Sequence, residues 1–364
     1  MLHAAVLFLT LFALCAALPT ALGATAASPR PARTGGAEAP PDPAHRYGER
    51  ADVRAFIDEL VDEGFDKRAL TRTFAAVRFQ PRIVAAMDRP ILEPPKWYAY
   101  APQFLTPERI DGGVAFYARN ADTLARASRE YGVPAEIIVA IIGVETFYGR
   151  NLGSYRVVDA LTTLAFDYPR RAAFFRGELK DFLRMTREQG LSPLAPKGSF
   201  AGAMGVPQFM PGSYRRFAID FDADGHVDLW SSPADVIGSV ANFLARHDWQ
   251  PDTCVLLPAV IDSDARDAVL AKLDGGISER RTMDAWEADG VTADVLASQV
   301  PADSVALLAL EEAPVDGVAQ ASYWIACANF FVITRYNRSR LYASAVWSLA
   351  EAIRKAREAS PATP

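Results

Sequence analysis

The sequence predicts a mainly α protein of the α+β class, with a helical body and a small mixed β part near the C-terminus. Three observations lead there. Apolar residues recur at helical spacing through most of residues 49–250. After residue 250 the texture changes to short apolar runs of strand length separated by polar stretches. Half of the 364 residues are hydrophobic and 23% are charged, the balance of a globular protein long enough for one large domain or two ordinary ones.

Met1 to Leu18 is almost wholly apolar, and small residues follow to Ala24. Residues 1–23 read as a secretory signal peptide whose positive end is supplied only by His3, so export to the periplasm is expected. The run is short for a bilayer-spanning helix, which needs roughly 20 residues; an uncleaved anchor is the alternative reading. Leu14 before Cys15 argues against lipid attachment. Residues 24–48, rich in Ala, Pro, Gly and Ser, read as a flexible tether.

The region 49–350 carries the helical pattern. In its N-terminal part, 49–111, Val53, Phe56, Ile57, Leu60 and Val61 mark one amphipathic helix, Leu70, Phe74 and Val77 a second, and Pro94-Pro95 a break. In 112–250, one helix is expected from Val114 to Tyr131. Gly132-Val-Pro134 ends it and opens the next, with Pro134 suited to a first turn. Residues 155–189 form two helices, one through Val158, Leu161, Leu164 and Ala165, the other after Pro169 through Phe174, Phe175, Leu179, Phe182 and Leu183. The glycines and prolines of Gly198–Ser213 argue for irregular backbone, and Pro233–His247 reads as a helix. In 251–350, Val255-Leu-Leu, Val305–Leu310 and Phe330–Thr334 read as strands, followed by a closing helix from Leu341 to about Arg357; residues 351–364 are the tail.

One acid stands out. Eight of the nine residues from Glu136 to Val144 are apolar or glycine, and Ile138, Ile141 and Ile142 share a helical face with Glu145. A carboxyl on a buried face is costly as an anion, so its pKa rises, which suits a general acid. On helix geometry alone, a solvent-facing or ion-paired Glu145 is the competing reading.

The formal net charge of -6, with Lys and Arg spread among acids, excludes a basic nucleic-acid-binding surface. Cys254 and Cys327 remain after the signal; one disulfide or two buried thiols both fit, and no Cys/His cluster suggests zinc. Asp220-Phe-Asp222-Ala-Asp224-Gly-His226-Val-Asp228 places oxygen ligands at alternate positions, with Gly225 at the sixth and the His226 carbonyl at the seventh, as in an EF-hand calcium loop. Ser231 stands at the twelfth position instead of the usual bidentate acid, which predicts weaker binding. A metal-free acidic turn is the alternative.

Gly143-Val-Glu-Thr-Phe-Tyr-Gly-Arg150 resembles the catalytic segment of the lytic murein transglycosylases of the B type, glycoside hydrolase family 103. The resemblance continues in Asp159–Arg171, in Lys197–Pro211, in Asp220–Asn242 and in Asn329–Asn337, in the family's order. It implies a lysozyme-like helical core whose groove takes peptidoglycan strands, and cleavage of the β-1,4 bond between N-acetylmuramic acid and N-acetylglucosamine without water. The product ends in 1,6-anhydro-N-acetylmuramic acid, so the enzyme is a carbon–oxygen lyase.

Glu145 matches the family's lone acid/base, while Asp159 and Asp167 are expected to be structural. Ser199 and Gln208 match polar groove residues, with loop capping as the other role for Ser199. Tyr336 matches a groove tyrosine that could stack a sugar or belong to the core. Arg170 and Arg171 could meet muramyl lactyl or peptide carboxylates, or be surface charges. The family's calcium site falls on the acidic loop, so a structural calcium ion is expected at Asp220, Asp222, Asp224 and His226, with no organic cofactor. The expected partners are glycan strands and proteins of wall synthesis or remodelling, with the chain itself a monomer. A hydrolytic muramidase and a non-catalytic peptidoglycan-binding protein are the rival functions.

Overall fold

A computed structural model describes residues 46–89, 94–293 and 304–359. The signal peptide, most of the tether and the last residues of the tail lie outside the described residues. The first described element, a turn of 3-10 helix at Tyr47–Glu49, starts inside the stretch read as tether. Tyr47 is buried, and its hydroxyl donates to Asp167 Oδ2 at 2.6 Å. Arg50 pairs with the same carboxylate at 2.6 Å.

Helices α1 (Ala51–Asp62) and α2 (Lys67–Ala76) follow, the latter capped by Asp66, which accepts from Ala69 N at 2.6 Å. Then come α3 (Pro81–Met87) and α4 (Trp97–Tyr100). The expected single helix from Val114 to Tyr131 is two, α5 (Pro107–Arg119) and α6 (Ala121–Tyr131). The break is at Asn120, whose backbone leaves the helical region and whose side-chain amide donates to Phe116 O at 2.8 Å, competing with the helical ladder. Gly132, at φ 69°, closes α6. Helix α7 (Ala135–Thr146) starts directly after Pro134.

Strand β1 (Tyr155–Arg156) pairs antiparallel with β2 (Lys197–Gly198), bracketing α8 (Val157–Asp167) and α9 (Ala172–Glu188), which separate at Pro169 as expected. Helices α10 (Pro211–Phe217) and α11 (Pro233–Ala245) complete the helical body. Buried side chains from Tyr47 to Ile353 form one continuous core, with α7 at its centre.

The C-terminal part is one antiparallel sheet in the order β4-β5-β7-β8-β3-β6. Its strands and helices, in chain order, are β3 (Leu256–Ile261), α12 (Arg266–Leu270), β4 (Leu273–Asp274), β5 (Ile277–Ser278), α13 (Met283–Glu287), β6 (Val291–Ala293), β7 (Ala306–Val315) and β8 (Val318–Ala326). Trp286, Val291, Leu307 and Ile325 fill a second, smaller core. Strand β8 hides in a stretch that reads as polar; the Asp316-Gly317 turn, with φ of 50° and 77°, folds it back on β7.

Phe330–Thr334, expected as a strand, belongs to helix α14 (Ala328–Tyr336). Phe330 and Ile333 are both fully buried at helical spacing, and Asn329 donates to the carbonyls of Gln250 and Thr253. Packing thus overrides the β propensity of the run. Helix α15 (Arg340–Ala359) closes the chain, matching the helix expected from Leu341 to about Arg357 and taking up residues 351–359 of the stretch read as tail, and packs on α5 and α7.

Cys254 and Cys327 are disulfide-bonded, 73 residues apart in sequence, and join the entry to β3 to the start of α14. Replacing both by serine should lower stability by about 2–4 kcal/mol. Thermal unfolding of the parent and the double variant checks this, and reductant should bring the parent close to the variant.

Candidate active site

The site is assembled at the end of α7. Ten of its twelve residues are buried; the two exceptions are Glu136 in the first turn, paired with Arg357, and Glu145 in the last, which is half-buried. The chain then reverses through Phe147, Tyr148 and Gly149, all at positive φ, of 53°, 58° and 87°. Tyr342, from α15, donates its hydroxyl to Glu145 Oε1 at 2.6 Å. Burial pushes the Glu145 pKa up to about 7, and the Tyr342 hydrogen bond works in the opposite direction. Burial, followed by the charge of Glu145, drives the phenols of Tyr342, Tyr336 and Tyr100 upward, so they stay protonated.

Glu145 opens into a cavity of about 80 Å³, lined also by Gln208, Phe209, Met210, Ser213, Phe243, Arg335, Tyr336 and Asn337. Gln208 stands at φ 51°, and its Nε2 donates to Gly205 O at 2.8 Å and Leu152 O at 3.3 Å, leaving Oε1 as an acceptor. The loop that carries it needs glycine at 205: φ is 69°, and a Cβ would lie 2.5 Å from Leu229 O. Tyr336 stacks on Tyr342, with ring centroids 6.4 Å apart, and donates to Pro207 O at 2.6 Å. Its ring also packs on Phe209 and Phe243, so it is both cavity wall and core.

Other expected site residues sit apart from this cavity. The Ser199 hydroxyl accepts from Ala203 N at 3.0 Å, a loop-capping bond, and does not line the cavity. Arg170 is exposed, 3.7 Å from Asp88 Oδ1. Arg171 is half-buried, its guanidinium 4.3 Å from the Phe174 ring centroid, and burial holds it below the usual arginine range. Asp159 is taken up by Arg156 at 2.8 Å and by Arg78 N at 3.1 Å, and Asp167 by Tyr47 and Arg50.

In the acidic loop, oxygens of Asp220, Asp222 and Asp235 all lie within 4.8 Å of one another, a donor set suited to a hard cation. Asp224 instead accepts from His226 N at 2.8 Å, while Asp220 accepts from Asp224 N and Gly225 N. Ser231, at the twelfth position, donates to Asp228. Asp235 is buried in the first turn of α11 and stands where the missing acid is needed. Sequence reading missed it because it follows Ser232 by three, the spacing of a helix cap, and the Ser232 hydroxyl does accept from Asp235 N at 3.2 Å. Tyr342 was also missed, since in sequence it is one aromatic on the apolar stripe of α15. Arg335 and Asn337 carried no signal beyond their place in the segment Asn329–Asn337, and Ser213 none beyond its place just after Lys197–Pro211.

The family described as the transglycosylase SLT domain matches residues 48–351. This chain belongs to that family. It is 40% identical to membrane-bound lytic murein transglycosylase B of Escherichia coli (strain K12) over 321 residues, 85% of each chain. A crystal structure of the soluble lytic transglycosylase SltB1 from Pseudomonas aeruginosa superposes with a TM-score of 0.77 at 45% identity, covering 85% of this chain and 100% of that one. The Escherichia coli lytic transglycosylase SLT35 in complex with calcium gives a TM-score of 0.76 at 40% identity, covering 85% of this chain and 95% of that one. The expected lysozyme-like, mainly helical fold is thus borne out, and the function is that of a lytic murein transglycosylase, an enzyme of peptidoglycan. No helix among the described residues is long and apolar enough to cross a membrane.

In this transglycosylase the folded chain holds the Glu145 proton up to about pH 7, whereas an unfolded chain releases it near 4.5. The carboxyl therefore favours folding below the lower value, and its burial becomes a penalty as pH rises through the higher one. Glu145→Gln should be more stable than the parent at pH 8, on the order of 2 kcal/mol, with the difference vanishing below about pH 4.5. Thermal melts at the two pH values check this; a difference independent of pH would mean the carboxyl is not held neutral.

Proposed function

We propose that Glu145 is the single acid/base of the lytic reaction. The observation that carries this reading is that Glu145 is the only carboxyl lining the cavity among the described residues, with a pKa near 7. As an acid it protonates the glycosidic oxygen between the two sugars. As a carboxylate it then takes the proton of the muramyl C6 hydroxyl, which attacks C1 and closes the 1,6-anhydro ring. Glycosidases that use water need a second carboxylate as base or nucleophile. Asp159 and Asp167 are occupied by structural partners, and the substrate's own hydroxyl has a high effective concentration. Gln208 Oε1 and the Tyr336 ring supply hydrogen bonding and an aromatic wall to the sugars, Ser199 shapes the loop they rest on, and Arg170 and Arg171 reach peptide or lactyl carboxylates further along the strand.

Asp220, Asp222 and Asp235 hold a calcium ion, with Asp224 and the His226 carbonyl completing the loop's oxygen set. The ion supplies charge balance for the crowded carboxylates and braces the start of α11. The relative solved with calcium and the donor set of this loop both support this assignment. The enzyme works on peptidoglycan in the periplasm, as a monomer reached through the apolar N-terminal segment.

Digestion of purified sacculi with mass analysis tests the assignment. The parent should release muropeptides with anhydro ends, and Glu145→Gln should lose at least 10³-fold in rate, the scale expected for removing an essential acid. Hydrated reducing ends, or a variant as fast as the parent, would overturn it. Calcium should raise the melting temperature of the parent, and Asp235→Asn should lose most of that rise; an undiminished rise would place the ion elsewhere.

A further inference from the structure

Glu145 is followed at once by backbone that side chains with a Cβ resist: Phe147 and Tyr148 are consecutive left-handed residues. Such a turn persists only if its surroundings hold it, and here they converge on Arg109 of α5. The Arg109 Nη1 donates to Gly143 O, the carbonyl two residues before Glu145, which also accepts from Phe147 N at 3.1 Å. The guanidinium lies 4.6 Å from the Phe147 ring centroid and 5.4 Å from that of Phe104. Tyr148 closes the ring of contacts by donating its hydroxyl to Arg109 O at 2.8 Å. The phenol fits because both neighbouring helices offer glycine: a Cβ at Gly143 or at Gly113 would lie 2.6 Å from the Tyr148 hydroxyl.

This arrangement is expensive for a purely structural device. Arg109 is only 9% exposed, its Nε has no partner among the described residues, and it forms no ion pair there. A buried cation with no direct ion pair is destabilising next to an apolar side chain of the same size. What it does, and an apolar residue cannot, is tie a carbonyl of the last helical turn and the reversed turn together on both sides of the carboxylate-bearing residue.

We propose that Arg109 is a positioning residue for the lytic reaction: with Tyr148 it fixes the end of α7 so that the Glu145 carboxyl stays at the cavity wall and against the Tyr342 hydroxyl. The inference rests on Glu145 being the acid/base. The titratable groups facing Glu145 are Tyr342 from α15, Tyr336 from α14 and Tyr100 from α4, all held protonated by burial, together with Arg335, which lines the same cavity. Near Arg109 the charged neighbour is Glu108. The alkaline limb of the rate profile therefore reports Glu145, because the acid must be protonated to act and loses its proton as pH rises through about 7. A loosened turn lets the carboxyl meet water, lowers its pKa and moves that limb to lower pH.

The test compares the full chain with Arg109→Lys, which keeps the charge but loses the fork, and Tyr148→Phe, which removes only the hydroxyl. Release of anhydro ends from soluble glycan strands is followed as a function of substrate and pH. Arg109→Lys should lower kcat by about 10- to 100-fold, the scale of an ångström-sized misplacement, leave KM within about twofold, and shift the alkaline limb downward. Tyr148→Phe should move kcat and the limb in the same direction by a smaller amount, and it decides the matter alone if Arg109→Lys does not fold. Losses that follow only the folded fraction, with the limb unmoved, or a rise in KM at constant kcat, would overturn the proposal. An active Glu145→Gln control would instead overturn the reading beneath it, so the two failures are distinct.

Discussion

The hydrogen bond from Tyr342 to Glu145 is the contact on which the site depends. Helix α7 is apolar on every side, so its one late acid has no neighbour of its own to satisfy it. A carboxyl at the edge of such a helix would be driven either to solvent or to permanent neutrality. A hydroxyl at 2.6 Å from a separate helix supports the charged form, while burial supports the neutral one. The balance leaves a group that titrates near neutral pH, which suits the acid-then-base role proposed for it.

The rest of the architecture keeps that balance in place. The Thr146 hydroxyl, one residue past the acid, donates to Val206 O at 2.9 Å, and Val206 N donates to Leu229 O at 2.7 Å. The glycine-rich loop is therefore strung between α7 and the acidic loop, and Trp230 Nε1 adds a bond to Lys197 O at 3.1 Å. On the opposite wall, Tyr336 reaches across to Pro207 O and joins α14 to the same loop. The cavity is the gap that remains between these ties. An acidic loop braced by an ion is linked to the cavity by this chain of hydrogen bonds.

Much of the fold was legible in the sequence because the helical body is built from long, strongly periodic segments with clear breaks at Pro94-Pro95, Gly132 and Pro169. The failures have local causes. Asn120 interrupts a helix through its own side chain, without glycine or proline to announce it. Phe330–Thr334 carries a strand-like composition, yet its buried residues recur at helical spacing, which a five-residue window cannot resolve. At the site, Glu145 was legible because a lone carboxylate in an apolar run is conspicuous. Tyr342 and Asp235 were not, because each looks like ordinary helix furniture where it stands and gains its meaning only from groups distant in sequence or from a loop of unusual length.

The Glu145–Tyr342 pair joins the middle of the chain to its last helix. The two residues are 197 positions apart, and the far wall of the cavity, from Arg335 to Asn337, also comes late. A chain that has emerged only as far as β8 already contains the acid, the glutamine loop and the metal-type loop, but not the hydroxyl that meets the acid or the wall that encloses it. Its carboxyl is then an ordinary helix-end glutamate. The site is thus complete only when α15 is docked against α5 and α7, and a fragment cut short before that helix would lack both the hydroxyl and the far wall.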